Sequence, residues 1–452
     1  MSDQSDLEKF ARTDSVEERE SEDSDPEGHG TARFPSLPTD WEIKRLDEVT
    51  TVQGGSTPST DKDEYWGGDI LWATPTDLTD LQENTISDTE GKITEAGLES
   101  SSTHVLPSYS VLLTSRASIG KCAVNTVPMA TNQGFQSLIP GEEVNTWYLY
   151  YVITEMAPYL ESLGAGSTFS EISKRTVQRV QIPVPPMEEQ LRIASVLKNI
   201  DDHTRVNQEI INSSETLRVG TAERLFRYYD DTTTTHPMIG EYPAEWELPK
   251  LSDVCEVVDA EHFTPDYVDD GIALIRPGDM REGIISLDEV QKSVSEDTYD
   301  EMTRRHTPTN EDVLYSRSQN FAIASVVDTD CRFCIGQDMV SIKPNNVERD
   351  FLRHLLNSPL IRDQAKRRST GTTFSRINLG DIRDLEIPIP SSEVQSEISE
   401  KLNTLEEYRE MSQSAVEYSS VIAEGLSERL ISGEIRTGNK QIEVSEKVLI
   451  ND

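Results

Sequence analysis

The sequence predicts an α+β fold: two homologous mixed α/β domains separated by two long helices packed as an antiparallel coiled coil, giving the chain a pseudo-twofold internal repeat. Three observations predict it. First, Pro38-Thr39-Asp40-Trp41-Glu42 returns as Pro243-Ala244-Glu245-Trp246-Glu247, with the tryptophans 205 positions apart. The same offset relates Gly166-Ser167-Thr168-Phe169-Ser170 to Gly371-Thr372-Thr373-Phe374-Ser375, and Ile182-Pro183-Val184-Pro185 to Ile387-Pro388-Ile389-Pro390. Solenoid repeats run to about 20–50 residues, so a period this long describes two units that each own a core. Second, between those ends lie short apolar runs broken by Gly, Pro, Asn and Asp, the pattern of short strands. Third, each unit is followed by a proline-free stretch with apolar residues at helical spacing.

Residues 1–34 are rich in Asp, Glu and Ser with almost nothing apolar, and such a segment is expected to be a disordered acidic tail. The first domain spans 35–185, with strands expected at Ile70-Leu71-Trp72-Ala73, Val111-Leu112-Leu113 and Ala123-Val124 and a helix from Trp147 to Leu163. A long helix follows over 186–230. Pro186 suits its first turn, Glu188 and Glu189 complement its dipole, and its apolar positions are Leu191, Ala194, Leu197, Ile200, Ile210, Ile211, Leu217 and Leu225. Residues 231–240 read as a linker. The second domain spans 241–390, with strands at Ile272-Ala273-Leu274-Ile275, Val313-Leu314-Tyr315 and Ile323 to Val327 and a helix from about Glu348 to Arg368. The second long helix covers 391–433, with Ser391 as N-cap, Ile398, Leu402, Leu405, Val416, Ile422, Leu426 and Leu430 on its apolar face, and Gly433 as the residue past its end. Each such helix measures ~60 Å at about 1.5 Å per residue, and neither keeps an apolar stripe in water alone, so the two are expected to pack on each other. A tail, 434–452, closes the chain.

The formal net charge of −40 runs through the whole chain. With the low lysine content it resembles the surface of proteins from extreme halophiles, in which excess carboxylates keep the molecule soluble in concentrated salt. Taken alone it argues against a nucleic-acid partner, because no basic domain stands out. No run of 18 apolar residues occurs, and the N-terminus has neither a basic nor an apolar leader pattern, so a soluble cytoplasmic protein with no membrane partner is expected. Four cysteines in 452 residues do not make a disulfide framework. Cys331-Arg332-Phe333-Cys334 has the spacing of half a zinc site, but no second pair follows and no metal is expected.

Two variable domains, each closing with a G-S-T-F-like turn and an I-P-x-P step into a long helix, resemble the specificity subunit of type I restriction-modification systems. The residues are Gly166 to Phe169, Ile182-Pro183-Val184-Pro185-Pro186-Met187-Glu188-Glu189-Gln190 and the second-copy Ile387 to Gln395, with Asn132-Gln133-Gly134-Phe135 matching a run of that family's recognition domains. The second copy departs from it in Cys334-Ile335-Gly336-Gln337-Asp338 and in Ser391-Ser392-Glu393-Val394-Gln395. The resemblance implies two target-recognition domains that each read half of a bipartite sequence in double-stranded DNA. It further implies helices that set the gap and dock two methyltransferase subunits, and a restriction and translocation subunit that completes the complex. No cofactor is then expected on this chain, with S-adenosylmethionine, ATP and magnesium used by the partners.

Candidate DNA contacts follow from side-chain chemistry. Ser115-Arg116 and Ser316-Arg317 stand at equivalent strand ends in the alignment, where a guanidinium can bridge guanine O6 and N7. Gln133 and Gln337 suit bidentate binding of adenine. Ser167, Thr168, Thr372 and Thr373, with Arg376 just beyond, offer hydroxyls and backbone amides to phosphate. Lys174-Arg175 and Lys366-Arg367-Arg368 are rare basic clusters in an acidic chain. Each arginine equally suits an intradomain salt bridge, and each glutamine a satisfied turn.

Catalysis finds no support in the sequence. The Pro185-Pro186 pair is not an N-P-P-Y loop, Gly120-Lys121 lacks the leading glycine of a phosphate-binding loop, and Asp40-Trp41-Glu42-Ile43-Lys44 has no paired acid upstream. The chain is therefore expected to be non-catalytic, with a pure interaction scaffold, or a stand-alone nuclease or methyltransferase, as the rival readings.

Overall fold

The ends of each repeat are alike because they touch. In the computed structural model, which describes residues 34, 37–81, 83–164, 171–262, 264–369, 376–438 and 442–449, β1 (Glu42–Arg45) runs antiparallel to the strand of the I-P-V-P step with Glu42 opposite Val184 and Lys44 opposite Ile182. In the second copy Glu247 and Ile389 exchange both backbone hydrogen bonds, at 3.1 and 2.8 Å. Trp41 and Trp246, just before these contacts, are buried in their respective cores. Any change at one end of a repeat must be met at the other, which is why the frame persists while the middle drifts.

Between its clasped ends the first domain places β2 (Thr50–Gly54), β3 (Trp66–Ala73), β4 (Thr85–Ile86), β5 (Lys92–Ile93), β6 (Val111–Leu113), β7 (Cys122–Asn125), β8 (Ala130–Thr131) and β9 (Gln136–Pro140), before β10 (Gln181–Val184). They form a five-stranded sheet in the order β2-β9-β6-β7-β4 and a three-stranded sheet in the order β5-β3-β8. A hairpin of β11 (Thr233–His236) and β12 (Gly240–Pro243) occupies most of the stretch read as linker.

The second domain repeats the plan with β13 (Cys255–Asp259), β14 (Ile272–Ile275), β15 (Gly283–Ile284), β16 (Ser293–Val294), β17 (Val313–Ser316), β18 (Ala324–Val326), β19 (Phe333–Ile335) and β20 (Met339–Pro344). Its sheets run β13-β20-β17-β18-β15 and β16-β14-β19, the same two orders element for element. Helices pack on one side of each larger sheet: Thr146–Glu155 and Ala157–Gly164 in the first domain, Arg349–Asn357 and Pro359–Arg368 in the second.

The long helices are Met187–Arg227, 41 residues, and Ser392–Ile431, 40 residues. The chain divides into two units, Met1–Arg205 with Tyr418–Asp452, and Val206–Glu417, so the division falls inside both helices. In the first unit Ile193, Ala194 and Leu197 share the domain core with Leu430 and Ile431, and His203 lies 3.3 Å from Ser419. In the second, Ala222 and Phe226 share a core with Ile398 and Leu402, and the Tyr229 hydroxyl donates to Glu397 at 2.7 Å. Within each unit the two helical segments run antiparallel.

The helix starts are fastened by one repeated device. The Gln190 side chain accepts from Asn145 N at 2.8 Å and donates to the carbonyls of Glu143 and Pro185, both at 2.9 Å. Gln395 accepts from Glu348 N and donates to Pro390 O, again both at 2.9 Å. A buried carboxamide with all its groups bonded fixes the angle at which a helix leaves its domain.

Two sequence expectations change. Leu217 and Ile422, placed on the inward apolar stripe, are 58% and 54% exposed. Val206 and Ile210 beside Leu217, and Tyr408, Met411, Tyr418 and Val421 on the other helix, are exposed as well. Helical periodicity finds an apolar stripe but not what covers it. The closing tail is also packed: Val448 is buried, its carbonyl accepts from Asn145 Nδ2 at 2.8 Å, and Arg436 joins Glu189 at 2.8 Å and Asp40 at 2.6 Å. The acidic segment expected to be disordered, 1–34, lies outside the described residues apart from Phe34.

Candidate nucleic-acid interface

The end of β6 in the first domain, and of β17 in the second, is where the candidate residues gather. Ser115 N donates to Gly134 O at 2.7 Å, and Ser115 O accepts from Ile172 N at 3.0 Å. One strand end thus brings Ser115-Arg116, Gln133-Gly134 and Glu171-Ile172 side by side, with Ser173 alone between Ile172 and Lys174-Arg175. In the second domain Arg317 N donates to Asp338 O at 2.9 Å, and Arg317 O accepts from Ile377 N at 3.0 Å. That bonding matches Arg317 with Ser115, not with Arg116. The preceding residues agree, since Gly120 N bonds to Thr114 O as Ala322 N bonds to Ser316 O, at 3.2 and 3.1 Å.

The two Ser-Arg pairs are therefore one residue out of register, and successive side chains in an extended segment point to opposite faces. Arg116 is 45% exposed and pairs with Glu171 at 2.8 Å. Arg317 is turned inward: its side chain is 6% exposed, Nη1 meets Asp259 at 2.7 Å and Nε donates to Ile377 O at 3.2 Å. Ser115 and Ser316 are buried too, and the Ser316 hydroxyl donates to Gln319 O at 2.6 Å. These three side chains are buried inside their own domains and do not face outward, which corrects the expectation drawn from the alignment.

What does face outward at this point is an ion pair in each domain, with the poles exchanged. In the first the cation, Arg116, comes from the strand end and the anion, Glu171, from the segment before the Lys174–Arg179 helix. In the second, Arg376 stands in the place of Glu171, is 46% exposed, and pairs at 2.6 Å with Asp338, which stands in the place of Gly134. Ser318, the counterpart of Arg116, donates to the same carboxylate at 3.3 Å.

Lys174 and Arg175 are exposed in the first turn of their helix, where positive charge opposes the helix dipole, so helix stability does not explain them. Lys366, Arg367 and Arg368 stand in the last turn of Pro359–Arg368, where the dipole favours them. Arg367 donates to the carbonyls of Pro237 and Met238, at 3.2 and 3.1 Å, and Arg368 lies 3.8 Å from Glu386. The Gln133 amide oxygen accepts from the Thr57 hydroxyl, whereas Gln337 is exposed at the edge of a groove. Ser167, Thr168, Thr372 and Thr373 lie outside the described residues.

Sequence reasoning missed that groove, about 470 Å³, whose wall carries Tyr267, Arg276, Gln291, Gln319 and Gln337. Its members come from five separate loops, and no motif links them. Asp279, in hydrogen bonds of 3.1 and 3.2 Å, holds the Arg276 guanidinium above its already high ordinary pKa. Among the described residues there is no group of three or more His, Cys, Asp or Glu placed to hold a metal ion, and no helix long and apolar enough to cross a membrane.

Comparison with known proteins gives one consistent result. The family described as type I restriction modification DNA specificity domain matches residues 38–215 and 243–414. The chain is 37% identical over 228 residues to the type I restriction enzyme MjaIX specificity subunit of Methanocaldococcus jannaschii, a match covering 49% of this chain and 53% of that one. It is 21% identical over 412 residues to the MjaVIII specificity subunit of the same organism, covering 89% and 95%. Its fold is similar to that of the type I restriction-modification S subunit from M. genitalium, with TM-score 0.59 at 14% identity over 88% of this chain and 98% of that one.

Proposed function

Because the chain belongs to the type I restriction modification DNA specificity family, we propose that it is the sequence-reading component of a type I restriction-modification complex. Each domain reads one half of a bipartite target in double-stranded DNA. The observation that carries this reading is the pairing of an identical backbone frame with different outward chemistry: Arg116, Glu171 and Gly134 in one domain, Ser318, Arg376 and Asp338 at the same places in the other. A scaffold has no use for that difference. Two readers of unlike half-sites require it.

The long helices set the gap between the half-sites, since an α-helix is a stiff element rising about 1.5 Å per residue. Their exposed apolar residues, Leu217 and Met411 in one unit and Tyr418 and Val421 in the other, are the docking points for two methyltransferase subunits. The chain is non-catalytic and holds no cofactor; the methyltransferase partners use S-adenosylmethionine, and the restriction and translocation subunits use ATP and magnesium. The protein works in the cytoplasm, where the chromosome is.

Methylome sequencing of the host, with and without this gene, tests the reading. The expected result is a two-part methylated motif that disappears on deletion and returns on complementation. Persistence of every methylated motif in the deletion strain at an expressed, methylation-active locus would refute it.

A further inference from the structure

The groove of the second domain has a chemistry that the first domain lacks, although both are built on the same frame. Gly336 N bonds to Ile275 O at 2.8 Å as Asn132 N bonds to Ala73 O at 3.0 Å. Leu274 N bonds to Lys292 O at 2.8 Å as Trp72 N bonds to Gly91 O at 3.0 Å. Arg276 N meets the Asp279 carboxylate at 2.9 Å as Thr74 N meets that of Asp77 at 2.7 Å. On this frame Gln291 and Gln337 correspond to Glu90 and Gln133, and Gln319 stands where Ala117 does in a loop of equal length.

Three carboxamides thus line the groove in the second domain. All three are exposed, and none has a hydrogen-bond partner among the described residues. The one carboxamide at these places in the first domain, Gln133, is engaged by Thr57. A free carboxamide offers a donor and an acceptor in one plane, the complement of adenine N7 and N6 in the major groove. Guanine presents two acceptors there and is matched best by a free guanidinium, but Arg276 is occupied by Asp279. Phosphate would have to approach that same carboxylate without a free cation on the groove wall to offset it.

We propose that this groove is where the second domain reads adenine in its half-site, with Gln319 and Gln337 contacting the bases and Gln291 completing the polar wall. The inference rests on the reading of the domain as a half-site reader and adds which residues read and what they select.

The test uses the full chain assembled with its methyltransferase subunits. The probes are duplexes carrying the motif found by methylome sequencing, each position substituted in turn, and Gln319→Ala, Gln337→Ala and the double variant are compared with the unaltered complex. Circular dichroism confirms folding, which these exposed positions should not disturb. Preference for A·T at one or two positions of a single half-site should fall about fivefold or more per lost contact, with the other half-site unchanged. A uniform loss across all sequences would mean phosphate contacts and would overturn the assignment, as would loss in both half-sites or selection left intact. If the unaltered complex discriminates among no sequences, DNA reading by the chain fails as a whole; if it discriminates but ignores the glutamines, the groove assignment alone fails.

Discussion

Ser115 and Arg317 occupy the same backbone position in the two domains, each donating its N–H to a turn carbonyl and accepting at its own carbonyl from an isoleucine N–H. An inward serine in one copy is thus replaced by an inward arginine in the other, and Asp259 supplies its charge partner. The cation that faces outward in the second domain is Arg376 instead.

Arg317→Ala should therefore unfold the second domain before it alters any sequence preference. Removing one member of a buried pair costs up to about 3–5 kcal/mol, and here His262, 2.9 Å from Asp259, offsets part of that cost. Arg116→Ala removes a half-exposed pair, should cost about 1 kcal/mol or less in stability, and should relax one half-site. Denaturant titration of both variants beside duplex binding separates the effects. A stable Arg317→Ala protein with altered selection would show that the inward guanidinium reaches DNA after all.

His354 gives the second domain a defined acid sensitivity. Burial, with the neighbouring Arg353, lowers its pKa from 6.5 to about 3, while Asn403 at 2.7 Å pulls weakly the other way. The unfolded chain thus binds more protons between those two values, so stability falls as pH drops from about 6.5 towards 3. His354→Gln should flatten that decline; an unchanged slope of stability against pH would exclude His354 as its source.

Lengthening both helices together should widen the recognised gap and nothing else. Four residues added after Ile210, matched by four near Gln413, extend the pair by ~6 Å, about one turn. Methylome sequencing should report the same two half-sites at a larger spacing. Altered half-sites at the old spacing would remove the helices from the role of ruler.

Salt should favour DNA binding under the proposed function. With a net charge of −40 and the strand-end arginines Arg116 and Arg376 already paired with acids, the chain gains little from long-range attraction to phosphate. Near molar salt the Debye length is ~3 Å, so repulsion between the acidic surface and DNA is screened and short-range base contacts decide binding. The complex should bind its target more tightly at ~2 M KCl than at ~0.1 M, where repulsion and loss of folded structure both appear. Fluorescence anisotropy over a salt series, with circular dichroism on the same samples, measures this. Tightest binding by folded protein at low salt, with a steep negative slope, would point to a basic contact surface.

The sequence by itself determined the duplication, the long helices and the family. It could do so because those features rest on local or self-contained rules: the Trp41 and Trp246 frames recur since Glu42 pairs with Val184 and Glu247 with Ile389. Helical spacing likewise shows over 41 and 40 residues whatever lies opposite. Only the tertiary structure decided which way Ser115, Arg116 and Arg317 point. A one-residue shift at a strand end reverses a side chain, and that register is set by bonds to Gly134 and Ile172, or Asp338 and Ile377, far along the chain. It also decided that Gln291, Gln319 and Gln337 share one groove and that Leu217 faces solvent. Proximity between loops is a property of the folded sheet, and no spacing along the chain encodes it.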